Sequence, residues 1–133
     1  MESKELRLQT GSTLVTDVTG EVQDFCHGKG DGLLSVFVPH ATAGVALIET
    51  GSGSESDLAD AIDRLLPGDA GYRHRHGSPG HGRDHVLPAF VAPSMTLPVL
   101  GGVPQLGRWQ SVVLVDSNVD NSVRSVRLSF LPG

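Results

Sequence analysis

Four of the six histidines in this 133-residue chain fall between residues 74 and 85: His74, His76, His81 and His85. Neutral imidazole is the commonest protein ligand for transition metals, and several rings converging on one ion is the usual arrangement. His81 and His85 stand four apart, so both rings face the same way if that piece is helical. The spacing matches no strict zinc signature. A glycine-flanked, histidine-rich tract also reads as an exposed loop, and composition leaves both readings open. Of the other two histidines, His40 follows a strand and His27 sits in a turn.

Among the acids, Glu49 stands out because it ends the apolar run Val45 to Ile48 and shares a face with Val45 and Leu47 at period two. A partly buried carboxylate near a metal can serve as general base; the alternative is a rim residue that caps a backbone group. Asp57, Asp60 and Asp63 lie on a helix, where Asp60 and Arg64 are spaced i, i+4 and read as a solvated pair. Arg124 leads the alternating face Val126, Leu128 and Phe130. A charge there points to a paired ion, a subunit contact or an anion site. Trp109, beside Gln110 at a strand start, belongs in a core or an interface. Gly28-Lys29-Gly30 and Gly101-Gly102 fit neither the P-loop nor the dinucleotide spacing. No Gly-x-Ser-x-Gly elbow is present, and the single Cys26 supports no cysteine-based catalytic arrangement.

These residues must be held by short elements. Leu6 and Leu8 alternate with Glu5, Arg7 and Gln9, a half-buried strand. Val18, Val22, Phe25 and Cys26 form one helical stripe, capped by Thr16 or Asp17 and ended by His27-Gly28. Leu33 to Val38 reads as a buried strand bounded by Gly32 and Pro39. The clearest helix runs from Ser54 through Leu66, with Leu58, Ala61, Ile62, Leu65 and Leu66 on one face, Ser54 as N-cap and Pro67-Gly68 as the stop. Residues 67–85 lack periodicity, and so long a segment in a small domain is functional or disordered. Pro88 leaves Val86 to Ala92 open between a short helix and an extended piece. Strand character returns in Met95, Leu97 and Val99, in Trp109 to Val115, and in Val126, Leu128 and Phe130. Strands in antiparallel order with two main helices predict an α+β fold.

The length fits one domain over residues 1–133 with a core of its own. A net charge of −5 argues against a nucleic-acid partner. Eight arginines against two lysines keep a small anionic ligand in view. One cysteine excludes an internal disulfide framework and fits a reducing compartment; Cys26 itself reads as buried packing. The opening MESKELRLQT has no signal-peptide apolar stretch, and no run reaches the roughly 18–20 residues needed to span a bilayer. A cytoplasmic location without membrane contact follows as the expectation.

The ordered blocks resemble the YjbQ-like family. Pro39-His40-Ala41-Thr42-Ala43-Gly44-Val45 followed by Glu49 is similar to its His-x-Thr/Ser-Ala-Gly segment and glutamate. Leu65-Leu66-Pro67 with Tyr72-Arg73-His74, then Asp84-His85, then Ser94-Met95-Thr96-Leu97-Pro98, look like its successive blocks. Leu106-Gly107-Arg108-Trp109-Gln110 is the most diagnostic piece. The resemblance covers nearly the whole chain. It implies a compact antiparallel β-rich sandwich with two main helices, assembled as a homotrimer with a pocket near a subunit boundary. It also implies that His40, His74 and His85 face a divalent metal (Zn or Mg) or a ligand, that Glu49 is the acid or base, and that Thr42, Trp109, Gln110 and Arg124 line the pocket or an interface. Members are often described as secondary thiamine-phosphate synthases, so the resemblance further implies a transferase of that kind, as a main or side activity, on a small phosphorylated substrate. Such chemistry needs cations on the leaving diphosphate; Arg73, Arg75, Arg83, Arg108 and Arg124 are available, but no diphosphate–Mg²⁺ carboxylate motif is present. Two positions depart from the family: Ile48 replaces an Asn before the glutamate, and Gly80-His81 replaces an Asp-Asn pair, so His76 and His81 are additions. Alongside the enzyme stand a non-catalytic trimer that binds a metabolite or metal, and a loop that binds a partner.

Overall fold

The computed structural model describes every residue except 75, 76, 79 and 121. Along the chain run β1 (Glu2–Gln9), β2 (Val15–Asp17), α1 (Thr19–Cys26), β3 (Gly32–Phe37), β4 (Ala43–Ile48), α2 (Ser54–Leu65) and α3 (His81–Asp84). A 3₁₀ turn (Leu87–Ala89), β5 (Ser94–Leu100), β6 (Val103–Pro104), β7 (Ser111–Asp116) and β8 (Val123–Pro132) complete the order. The strands build two antiparallel sheets, one in the order β1-β8-β3-β5-β6 and one in the order β2-β7-β4. The expected α+β class and antiparallel sandwich are therefore present.

The two sheets face each other across the main core. Leu34 and Val36 of β3, Leu97 and Val99 of β5, and Val126, Leu128 and Phe130 of β8 meet Val45 of β4 and Val112 and Leu114 of β7. Helix α1 adds Val22, Phe25 and Cys26 to this layer. The far side of the smaller sheet is covered too: Val113 and Val115 pack on Ile62, Leu66 and Leu87. Strand β7 is thus buried on both faces, which is why it reads as an unbroken apolar run and not as an alternating one.

Strand β3 behaves differently from its sequence. Leu33 to Val38 suggests burial on both sides, yet Leu33 and Phe37 are 46% and 42% exposed. Only alternate residues reach the core, because the outer face of the larger sheet carries no covering layer from the described residues. On α1 the N-cap position belongs to Val18 and not to Thr16 or Asp17; Asp17, just before it, still secures the first turn, its Oδ1 accepting the Thr19 backbone N–H at 2.9 Å and the Thr19 hydroxyl at 2.6 Å. On α2 the N-cap position belongs to Gly53, at φ 97°, and Ser54 is the first helical residue. Glu55 reaches back to accept the Gly51 N–H at 3.1 Å, which secures the same end. The ion pair described on this helix runs from Asp63 to Arg83 at 2.6 Å. Strands β2 and β6 and helix α3 are additions to the elements read from periodicity. Among the described residues, no helix is long and apolar enough to cross a membrane.

Gly44 shows how tightly β4 is enclosed. A Cβ built there would lie 1.9 Å from the Val91 carbonyl oxygen, an immovable backbone atom. Gly44→Ala is expected to cost about 3 kcal/mol, the upper part of the overpacking range. Chemical denaturation checks this as a lower midpoint at unchanged slope.

Candidate metal centre

After Pro67 the chain turns back, pinned by the Tyr72 hydroxyl, which donates to the Pro67 carbonyl at 2.8 Å. Helix α3 seats directly on this returning segment. It can do so because residue 82 is glycine: a Cβ there would stand 2.6 Å from Tyr72 Cβ and 3.2 Å from the His74 carbonyl oxygen. His81 opens α3, and His85 follows its last residue with backbone angles still helical (φ −77°, ψ −9°). The two imidazoles therefore project from one face, as their spacing of four requires. His74 approaches from the returning segment, with ring centroids 4.1 Å from His85 and 5.4 Å from His81. His81 Nε2 and His85 Nε2 are 2.8 Å apart. One nitrogen from each of the three rings falls within 4.8 Å of the others.

The cluster suits a transition metal. With Zn–N bonds of about 2.0–2.1 Å, tetrahedral ligands sit about 3.3 Å apart, so the His81–His85 pair need open by only about 0.5 Å. His81 is 7% exposed, and His74 and His85 are half-buried. Behind His81, its Nδ1 lies 3.2 Å from Asp120 Oδ2 and 3.6 Å from Asp84 Oδ2. Asp84 is buried and accepts the Ser117 hydroxyl at 2.6 Å. Asp120 also accepts the Ser78 N–H at 3.1 Å. A cleft of about 390 Å³ is lined by Gly68, Tyr72, His74, Gly77, Ser78 and His81. A second cleft next to it, about 550 Å³, is bordered by Asp63, Asp69 and Asp84, with Arg83 already tied to Asp63.

The structure distributes the residues singled out in the sequence over three places. His74 and His85 meet, with His81 as the third ring where His40 was expected. His40 is not in that group: its Nε2 accepts the Ser125 backbone N–H at 2.9 Å, which holds the ring against β8. Near it, Thr42, Asp116 and Arg124 form a buried network. Arg124 Nε pairs with Asp116 Oδ2, the Thr42 hydroxyl donates to Asp116 Oδ1 at 3.3 Å, and Arg124 donates to Thr42 Oγ1 at 3.5 Å. Arg124 is thus the paired ion among its three readings. Glu49 is exposed at the far end of β4. Ala43 pairs with Asp116 at one end of that strand and Ile48 with Ser111 at the other. Seven steps of extended chain separate Thr42 from Glu49, about 20 Å; the acids beside the histidines are Asp84 and Asp120 instead. Trp109 is 64% exposed, outside the core, with the Arg108 guanidinium 4.9 Å from its ring centre. Gln110 Oε1 accepts the Gly107 N–H at 2.8 Å, closing that turn. His76 and Arg75 lie outside the described residues. The contributions missed by sequence reasoning are Asp84, Asp120 and Gly82. The crowding of histidines between residues 74 and 85, the i, i+4 spacing of His81 and His85, and the family resemblance at His74 and His85 were the signals for the cluster.

Over residues 4–133 the chain matches the family described as UPF0047 protein YjbQ-like. It is 61% identical to a UPF0047 protein of Mycobacterium tuberculosis, over the full length of both chains. A UPF0047 protein of Methanothermobacter thermautotrophicus is 28% identical, covering 96% of this chain and 90% of its own. Among solved structures, a hypothetical protein of Aeropyrum pernix superposes with a TM-score of 0.91 at 30% identity, covering 100% of both chains. A YbjQ-like protein of unknown function from Sulfolobus solfataricus gives 0.92 at 21% identity, covering 99% and 97%, which speaks to the fold alone.

Burial pushes the His40 imidazole below its ordinary pKa, and the Arg124 charge pushes the same way; the Asp116 carboxylate opposes them. The folded state therefore binds the His40 proton less readily than the unfolded chain. Stability from this residue is present above about pH 6.5 and is lost as the pH falls through the depressed folded value. Unfolding midpoints measured from pH 7.5 down to 5 are expected to fall, and His40→Gln is expected to flatten that slope.

Proposed function

Since the chain belongs to the UPF0047 YjbQ-like family, we propose that within it this protein is a metal-dependent enzyme acting on a small phosphorylated substrate through a three-histidine centre. The observation that carries this reading is the convergence of His74, His81 and His85 within 4.8 Å. Three neutral imidazoles are a borderline-soft donor set suited to zinc; magnesium prefers oxygens and keeps its waters. A divalent ion held there supplies Lewis acidity towards a phosphoryl oxygen. His74 and His81 line the cleft between Gly68 and Gly77, which gives a ligand a route to two of the three imidazoles.

The same donor preference weighs on the reaction. Joining a pyrimidine diphosphate to a thiazole phosphate, the thiamine-phosphate synthase reaction, is usually served by magnesium on the leaving diphosphate, and the carboxylates here stand behind a histidine and not in the cleft's centre. We therefore place that transfer as a side activity of the centre. The acidic border of the larger cleft, Asp63, Asp69 and Asp84, favours a cation first and an anion only through it.

A homotrimer completes the reading. Leu33 and Leu131 are direct cross-strand neighbours on the uncovered face of the larger sheet, 46% and 55% exposed. Glu49 and Trp109 sit at one end of the smaller sheet while the histidines sit at the other. A head-to-tail cyclic contact is the symmetry that joins unlike surfaces of identical chains, and it supports a pocket shared across a subunit boundary. The non-catalytic alternative, a trimer that stores or senses a metal or metabolite, uses the same cluster.

Purified untagged protein is expected to hold one zinc per chain by elemental analysis. His81→Ala and His85→Ala should each abolish stoichiometric binding, whereas His40→Ala should leave it intact. Turnover of a phosphate-ester panel that stops on chelation favours the enzyme; ligand bound and never consumed favours the alternative. A wild-type protein without stoichiometric zinc after zinc reconstitution rules the centre out.

A further inference from the structure

The buried Asp116–Arg124 pair is not adjacent to the imidazoles, yet a continuous set of contacts leads from one to the other. Asp116 Oδ1 accepts the Asn118 N–H at 2.9 Å, and Asn118 Oδ1 accepts the Asp120 N–H at 2.9 Å. These are two successive side-chain turns of the kind Asp and Asn form with the backbone two residues on. They deliver the Asp120 carboxylate to 3.2 Å from His81 Nδ1 and 3.1 Å from the Ser78 N–H. The same connection sends Ser117 to Asp84, the second carboxylate on that nitrogen. Gly77, at φ +85°, covers the junction so closely that a Cβ would fall 2.6 Å from His81 Cγ and 2.8 Å from Asp120 Oδ2.

We propose that Asp120 is a positioning residue for metal binding, presented by the side-chain turns that Asp116 and Asn118 start, and that it holds the His81 ring so that Nε2 faces His74 and His85. The inference rests on the metal-centre reading above. A carboxylate behind a ligating histidine holds the ring proton on the nitrogen it faces, raises the basicity of the opposite, metal-facing nitrogen and fixes the ring plane. Asp84 travels with His81 on α3 and is tied to the β7–β8 connection through the Ser117 hydroxyl that it accepts. Asp120 comes from that connection and meets the His81 ring directly, at 3.2 Å. This supporting acid lies 35 residues or more beyond the histidines in sequence, anchored to a charge pair that links the two sheets.

Cobalt(II) titration of the full-length protein tests this, because its visible absorption reports both affinity and ligand geometry. Asp120→Ala is expected to weaken Co²⁺ binding 10–100-fold, the range for losing such a partner, and to shift the absorption bands. Asp120→Asn keeps an oxygen acceptor for the ring N–H, so it should retain the wild-type bands with an intermediate affinity. Asn118→Ala, which breaks the second turn without touching the cluster, should weaken binding in the same direction. Apparent melting temperatures of the metal-free variants should stay close to wild type, separating positioning from folding. Equal affinity and identical bands in wild type and Asp120→Ala overturn the positioning role while the centre itself stands. Failure of wild-type protein to bind Co²⁺ or Zn²⁺ overturns both.

Discussion

The ion pair between Asp116 and Arg124 joins the two halves of the molecule. Asp116 ends β7 in the smaller sheet, and Arg124 lies on β8 in the larger one. Both side chains are almost wholly enclosed, so each would be costly without the other. Thr42, just before β4, completes the network through its hydroxyl. Ordinary apolar contacts between sheets permit sliding; a buried charge pair with a fixed hydrogen-bond pattern does not. The consequence is a set distance between the end of β7 and the start of β8, and therefore a set path for the residues that connect them.

That path matters because the histidines do not belong to either sheet. They sit on a four-residue helix and on the segment that returns from α2, pieces too short to be rigid alone. Their placement comes from outside. Gly82 permits close seating on Tyr72 and His74, and Ser117 and Asp120 reach in from the β7–β8 connection to Asp84 and His81. Loops held on a stiff sheet are where binding chemistry commonly resides. The stiffness here originates in β7, which is enclosed by apolar side chains on both faces.

Much of the architecture was legible in the residue pattern. Leu58, Ile62 and Leu66 announced α2, and alternation in Val126, Leu128 and Phe130 announced β8, because each buries one face against a core; Leu65, read on the same helical face, is 55% exposed. Strands β2 and β6 were not legible, since two or three residues carry no measurable period. The exposure of Leu33 and Phe37 was also invisible: an apolar run looks the same whether its second face is covered or open. At the site, His74, His81 and His85 were visible as a cluster of residue types. His40 came from a different block of the family pattern and looked equivalent, but its ring is engaged by β8. Glu49 shared an apolar face with Val45 and Leu47, yet a strand that runs about 20 Å carries it away from the histidines.

What the amino-acid order alone determined is local. Periodicity, caps and breakers depend on neighbours within a few residues, and the i, i+4 spacing of His81 and His85 already implied two rings on one side of a turn. Tertiary structure decided which third histidine joins them, which acids stand behind them and which arginine is neutralised. Some of those choices depend on contacts across 35 or more positions, such as Asp120 with His81 and Ser125 with His40; the Asp116–Arg124 pair spans eight positions but joins strands of different sheets. Side chains so far apart in the chain meet only after the sheets have packed, and the geometry of that packing is not written in any local spacing.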